Sequence, residues 1–205
     1  MKRTCLTVGF LVLTIFSAIA APDVHILVTW HSTMGHTEAL ADAVAKGAAT
    51  VPGVTVVKKA VHEVSLEDLN DADAVILGSP VINGNIHPKV LAFIGNWPFL
   101  EGVMRDKIGA AFCTAGGFSA GEEHVITSIH RAMLIHGMII VGGPDWQTAL
   151  GASAIVGEAP YLTEMERGKV DPYFLEKGKG LGRRVAELTL QLKNSPAEPA
   201  PTTSE

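Results

Sequence analysis

The sequence predicts an α/β protein built on a five-stranded parallel sheet in the order 2-1-3-4-5, with helices on both faces. Two observations lead to this class. Several short segments are apolar throughout, as strands buried on both faces must be. Each is followed by a segment in which apolar residues recur at helical spacing. With 205 residues, 47% hydrophobic and only 6% aromatic, the chain is long enough for one domain with a sizeable core.

Five segments are predicted to be strands because they are short, apolar and bounded by turn residues. Pro52-Gly53 precedes the second of them, Ser79-Pro80 ends the third, and Gly116-Gly117 follows the fourth. The predicted strands, in chain order, are Val24–Trp30, Val54–Lys58, Ala74–Gly78, Ile108–Thr114 and Met138–Val141.

The segments between these strands are predicted to be mainly helical. In the first of them Leu40, Val44 and Ala48 recur every four residues and therefore share one helix face. The predicted helices are Gly35–Thr50, Ser65–Leu69, Pro88–Ile94, Glu122–His136 and Pro172–Lys193. Gly142–Asp171, by contrast, is predicted to be a long loop.

The N-terminal residues have the pattern of a secretory signal peptide. Lys2 and Arg3 precede the apolar run Leu6–Phe16, and Ala18-Ile19-Ala20 is a small-residue cleavage pattern. We therefore predict that residues 1–20 are removed and that the protein is exported to the periplasm or secreted. The alternative is an uncleaved membrane anchor, although the apolar stretch Cys5–Ala21 is at the short limit for a membrane span.

The remaining chain is predicted to form one domain, residues 21–193, followed by a disordered Pro-, Ser- and Thr-rich tail, residues 194–205. Without Lys2 and Arg3 it carries 14 basic and 21 acidic residues, a net charge of about −7. No basic stripe is present, so nucleic acid is not an expected partner. Cys113 is the one remaining cysteine, which excludes an intrachain disulfide, and the histidine spacings match no zinc signature.

The turn after the first strand has the features of an anion site. Ser32-Thr33-Met34-Gly35-His36-Thr37 joins a predicted strand directly to the beginning of a predicted helix, where backbone N–H groups and the helix dipole favour an anion. It matches neither GxxxxGK[ST] nor GxGxxG. No Lys or Arg lies between Val24 and Ala45, so the expected ligand is a terminal monophosphate held by neutral donors.

Two further loops are predicted to lie beside this turn. Loops 31–37, 79–87 and 114–121 follow the first, third and fourth strands. Because the carboxyl ends of parallel strands meet at one edge of a sheet, the three loops should form a single ligand site there.

Four motifs in these loops resemble the WrbA-like NAD(P)H:quinone oxidoreductases of the flavodoxin-like superfamily, over about residues 24–192. Residues 32–38 are similar to the family's S-x-x-G-H-x-E phosphate loop, and Gly78-Ser79-Pro80 with Gly84-Asn85 is similar to its loop beside the flavin ring. Residues 114–128 resemble its Ser/Thr/Gly-rich loop and the following helix start. His136-Gly137-Met138 resembles the family's H-G-M before the last strand.

The resemblance implies a flavodoxin-like fold and an FMN-dependent oxidoreductase. In that family NAD(P)H reduces the flavin and is then replaced by a quinone, and subunits pair around the flavin as a dimer or tetramer. His136 is the implied catalytic residue at the ring edge, and Phe99 lies near the family's quinone-side aromatic. The implied FMN-binding residues are Ser32, Thr33, Met34, Gly35, His36, Thr37, Pro80, Val81, Ile82, Asn83, Gly84, Thr114, Ala115, Gly116, Gly117 and His136.

One segment departs from the family pattern. Val81-Ile82-Asn83 replaces a Thr-Arg-Phe triplet whose Arg and aromatic residue are associated with the nicotinamide cofactor and the flavin edge. Two alternatives therefore stay open. One is a flavin-carrying electron-transfer protein without NAD(P)H turnover, and the other is a flavin-free binding protein that uses the same pocket.

Overall fold

The computed structural model describes residues 23–161 and 166–195. The predicted signal peptide and the end of the predicted tail lie outside these residues. The elements, in chain order, are β1 Val24–Trp30, α1 His36–Ala48, β2 Val54–Ala60, α2 Leu66–Asp71, β3 Ala74–Ile82, β4 Asn85–Ile86, α3 Pro88–Gly95, β5 Ile108–Ala115, α4 Glu122–Ile135, β6 Ile139–Ile140, a 3₁₀ turn Trp146–Thr148, β7 Ala152–Ile155 and α5 Pro172–Asn194.

The sheet confirms the predicted fold class. Strands β2, β1, β3, β5 and β6 are neighbours in that order, and every one of these pairs is parallel. This is the predicted 2-1-3-4-5 order with one refinement. The fifth position is shared by two short strands, because β6 pairs with the first two residues of β5 and β7 with its last four.

The structure corrects two sequence-based boundaries. The segment predicted to be one long loop, 142–171, contains β7. Its residues, Ala-Ser-Ala-Ile, have little strand propensity, and they become a strand because the end of β5 leaves an edge to pair with. In addition, β3 continues past Ser79-Pro80 to Ile82, since Ser79 and Pro80 pair with β5 and the next two residues form a hairpin with β4.

The sheet has a hydrophobic core on each face. Along β1, Ile26 and Val28 pack on the side of α1 and α5, whereas Leu27 packs on the side of α2, α3 and α4. This alternation follows from the two-residue period of a strand. Both faces are covered by helices, which explains why the central strand β5 is buried along its whole length, whereas the edge strand β2 is only partly buried and carries Lys58 and Lys59.

Helices α1 and α5 approach each other closely through glycines. A Cβ atom built on Gly182 lies 1.9 Å from the carbonyl oxygen of Val44, and one built on Gly47 lies 2.0 Å from that of Lys179. The two backbones are therefore nearly in contact. Since α1 begins at the candidate site, this packing fixes where its N-terminus points. None of the helices within the described ranges combines the length and apolar character needed to cross a bilayer.

Candidate functional site

A cavity of about 280 Å³ lies at the carboxyl ends of β1, β3 and β5. All three loops that were predicted to converge contribute to it. Its lining residues are Ser32, Thr33, Met34, His36, Thr37, Pro80, Val81, Ile82, Thr114, Ala115, Gly116 and Val156. The parallel sheet therefore assembles one site from segments more than 80 residues apart in the chain.

The first loop presents unpaired hydrogen-bond donors. Gly35 is the N-cap of α1, with φ +86°, and no described side chain caps the helix. The backbone N–H groups of the first helical turn are thus available. The hydroxyl of Ser32 is buried without a hydrogen-bond partner in the described part of the chain. A buried polar group without a partner is costly, so this oxygen is suited to a polar ligand such as a phosphate.

A buried hydroxyl pair connects the first loop to the third. Thr37 Oγ1 and Thr114 Oγ1 lie 2.8 Å apart, and both residues are almost fully buried. Each hydroxyl retains further hydrogen-bonding capacity because an oxygen has two lone pairs. This pair fixes the distance between the two loops at the base of the cavity.

The second loop is a tight β-hairpin with an apolar surface. Asn83 and Gly84 have φ values of +49° and +74°, as the two central residues of a type I′ turn require. Pro80, Val81 and Ile82 line the cavity, and 40% of Ile82 is exposed. This surface offers a planar ring van der Waals contact on one side.

The third loop packs directly against the second. A Cβ atom on Gly121 would lie 2.7 Å from the Cα of Gly84, so neither loop can move independently at this contact. Gly116 lines the cavity, and a Cβ built on it meets no atom within 4 Å. At Gly117, by contrast, the carboxylate of Glu158 lies where an added Cβ atom would be.

The sequence-predicted binding residues divide into three groups. Eleven of the sixteen line the cavity. Gly35, Asn83, Gly84 and Gly117 lie in the same three loops but do not contribute to the lining. His136 lies elsewhere.

The structure places His136 and Phe99 away from this cavity. Helix α4 begins at Glu122, beside the site. Its 14 residues extend about 21 Å towards the amino ends of the strands. His136 follows that far end, where its ring is 5.2 Å from the ring of Trp97 and 5.3 Å from that of Phe99. The expectation that His136 reaches the flavin edge is therefore not met within one chain, because the helix runs antiparallel to the strands. Burial lowers the pKa of His136.

A turn from the C-terminal part of the chain adds a positive charge that the sequence analysis missed. Glu166 O accepts a hydrogen bond from His36 Nε2 at 2.8 Å, and Gly168 N donates one to Met34 O at 2.8 Å. Arg167 Nη2 lies 3.4 Å from Thr33 O. The first loop contains neutral donors, as predicted, yet a guanidinium from a distant segment lies at its rim.

Two histidines form a close pair beside the first and second loops. The rings of His31 and His87 are 4.1 Å apart. Burial, together with the nearby His87, Lys89 and His62, lowers the pKa of His31 to about 4, and burial followed by Lys89 lowers that of His87. Both rings are therefore neutral at pH 7. The described residues contain no cluster of three or more potential metal ligands.

Cys113 lies at the base of the third loop and is fully buried. Burial and the nearby Glu122 raise the pKa of its thiol far above the ordinary value. The thiolate, which is the reactive form, is thus strongly disfavoured. Cys113 is therefore a core residue and not a reactive thiol.

Comparison with known proteins agrees with the fold. The flavodoxin domain family matches residues 27–124. An NAD(P)H dehydrogenase (quinone) from Cupriavidus metallidurans is 36% identical over 160 residues, which cover 66% of this chain and 79% of that protein. A flavodoxin, WrbA-like protein from Agrobacterium tumefaciens superposes with a TM-score of 0.65 at 22% identity, over 82% of this chain and 98% of that chain. A flavodoxin from the domain Archaea superposes with a TM-score of 0.63 at 23% identity, over 81% of this chain and 99% of that chain.

Proposed function

This chain belongs to the WrbA-like NAD(P)H:quinone oxidoreductases of the flavodoxin-like superfamily, and from that premise we propose that it transfers electrons from NAD(P)H through FMN to a quinone. It is an oxidoreductase with FMN as its cofactor. The observation that carries the proposal is the buried, unpartnered hydroxyl of Ser32 beside the uncapped N-terminus of α1. These are the donors that a phosphate monoester requires.

The three loops have separate tasks in this proposal. Ser32, Thr37 and the first N–H groups of α1 bind the phosphate. The apolar segment Pro80–Ile82 contacts one side of the ring and excludes water from it. The backbone of Thr114–Gly116 offers hydrogen-bonding groups to the polar ring edge. When bound, the FMN supplies the redox chemistry that these side chains lack.

The proposed function is tested by steady-state turnover of the purified protein loaded with FMN. We expect oxidation of NADH or NADPH that depends on both FMN and an added benzoquinone. A protein that binds FMN but oxidises neither nucleotide would contradict the proposed electron donor. A protein that binds no FMN would contradict the proposal as a whole.

One observation favours a second candidate function. Val81 and Ile82 line the cavity with apolar side chains; Ile82 stands at the position of the family's Arg, and Asn83 at that of its aromatic residue. A flavin site without that Arg suits an electron-transfer protein that exchanges electrons with another redox protein. Bound FMN that is reduced by dithionite, but not by NADH or NADPH, would favour this alternative.

We also propose that the protein is a homo-oligomer, a dimer or a tetramer. Four apolar side chains near His136 are strongly exposed, with Phe99 at 56%, Leu100 at 93%, Leu134 at 57% and Ile135 at 71%. A second copy covering this surface would bring His136 and Phe99 to the flavin of a neighbouring subunit. Light scattering of the FMN-bound protein should give two or four times the monomer mass. A monomeric mass would contradict the proposed oligomer.

Export remains part of the proposal. It is supported by the basic N-terminus, the apolar run and the small-residue cleavage pattern in residues 1–20. N-terminal sequencing of the protein from its native cells should begin near Ala21. A chain that retains Lys2 and Arg3 would contradict cleavage.

Replacing Ser32 by Ala should weaken FMN binding without destabilising the FMN-free protein. A hydrogen bond to a charged group contributes about 1.5–3 kcal/mol, so FMN affinity should fall about 10- to 100-fold. The unbound protein should lose nothing, because the hydroxyl has no partner there. Fluorescence titration with FMN and urea unfolding of the FMN-free protein measure the two effects. Ser128→Ala, which removes a half-buried hydroxyl on α4 whose hydrogen-bond donor is the exposed Arg131, is the control and should change neither affinity nor the unfolding midpoint by a measurable amount.

A further inference from the structure

Glu158 contacts the third loop of the site without lining the cavity. Its Oε2 accepts a hydrogen bond from the backbone N–H of Phe118 at 2.7 Å. The same oxygen lies 2.5 Å from the position that a Cβ atom of Gly117 would take. Only a glycine at position 117 lets the carboxylate approach the backbone so closely.

The sheet brings Glu158 to this position. Strand β7 pairs with β5 up to the contact of Ile155 with Ala115, and Val156 N then donates to Ala115 O at 3.0 Å. The chain therefore continues beside the third loop. Gly116 and Val156 both line the cavity; Gly116 directly precedes Gly117, and Val156 is two residues before Glu158. Because Oε2 lies 2.5 Å from the Cβ position of Gly117, and the next Cα atom is 3.8 Å further along the chain, the negative charge lies within about 8 Å of Gly116 at the cavity wall.

Within the described ranges, no Lys or Arg forms an ion pair with Glu158. The next carboxylate along the loop, that of Glu122, accepts a hydrogen bond from Ser119 N at 3.0 Å and adds a charge of the same sign. Arg167 lies beside the first loop instead, at Thr33. The charge of Glu158 is thus compensated by one backbone N–H and by solvent, and its field extends into the cavity.

We propose that Glu158 sets the reduction potential of the bound FMN. Reduction adds electron density to the ring, and a fixed carboxylate behind the third loop raises the free energy of reduced FMN more than that of oxidised FMN. Glu158 therefore lowers the potential and makes the reduced protein a stronger electron donor to its acceptor. Its hydrogen bond to Phe118 also holds the loop in place, so Glu158 is a positioning residue as well as a charge. The proposal rests on the binding of FMN proposed above.

The test compares Glu158→Gln with the unmodified protein. Glutamine retains an oxygen that can accept the Phe118 hydrogen bond and removes the charge. Potentials are measured by equilibration with a reference dye, and the affinity for oxidised FMN is measured by fluorescence. We expect binding of reduced FMN to strengthen about tenfold relative to oxidised FMN, which raises the two-electron potential by about 30 mV. Glu187→Gln, an exposed acid in the C-terminal half of α5 that pairs with Arg183 at the surface, is the control and should leave the potential unchanged.

Ionic strength provides a second measurement on the unmodified protein. Salt screens an exposed carboxylate, so the potential of the unmodified protein should rise with added salt more steeply than that of Glu158→Gln. Equal potentials for the two proteins, or equal salt dependence, would overturn the role of Glu158 while leaving FMN binding intact. Failure of the unmodified protein to bind FMN would instead refute the proposed function on which this inference rests.

Discussion

Gly116→Leu is expected to abolish FMN binding while leaving the protein folded. Gly116 lines the cavity, is exposed, and has no atom within 4 Å of an added Cβ. Its φ lies outside the left-handed region, so leucine can adopt the same backbone conformation. The new side chain would therefore enter the cavity of about 280 Å³ rather than disturb the core.

The expected loss of affinity for FMN is more than 100-fold, because the ring and the side chain compete for the same space. Fluorescence titration measures the affinity, and thermal unfolding without FMN checks that Tm changes by no more than about 1 °C. Gly116→Ala is the graded control: a single methyl group leaves most of the cavity open, so affinity should fall less than tenfold. Unchanged FMN affinity in Gly116→Leu would show that the ligand does not occupy this cavity.

Gly182→Ala should produce a large loss of stability for a single added methyl group. A methyl group there would lie 1.9 Å from Val44 O and 3.0 Å from Ala48 N. Both are backbone atoms, so α1 and α5 must separate. Overpacking of this kind costs about 3 kcal/mol. For a chain of this size that lowers Tm by about 6–12 °C.

Gly180→Ala, two residues away on the same helix, is the matched control. Its methyl group would meet the Pro144 ring at 3.2 Å, a contact that a small side-chain shift relieves. Alanine also has a higher helix propensity than glycine by about 1 kcal/mol, so this variant should be neutral or slightly more stable. Urea unfolding measures the free energy of unfolding of both variants. Equal stabilities would contradict the close packing of α1 on α5.

The parts of the fold that depend on local pattern could be predicted from the sequence. The bounds predicted for β1 were confirmed, because a mainly apolar segment ends at a hydroxyl-rich turn. The convergence of three loops also followed from strand order alone. By contrast, β7 could not be predicted, since Ala152–Ile155 becomes a strand only when the edge of β5 is present.

The parts of the site that depend on distant segments could not be predicted. Arg167 contacts Thr33 across 134 residues, and Glu158 contacts Phe118 across 40. No spacing rule connects such pairs, because the packing of α5 and β7 brings them together. The location of His136 was missed for a different reason. Its motif is recognisable, but the direction of α4 carries it away from the cavity of its own chain.

The central claim is that the turn Ser32–Thr37 binds the phosphate of FMN, and comparative titration with FMN and riboflavin tests it most directly. The two flavins share the same ring and differ in the phosphate. We predict one FMN per chain, bound at least 100-fold more tightly than riboflavin. Equal affinities for the two flavins, or no binding of either, would contradict a phosphate site at the N-terminus of α1.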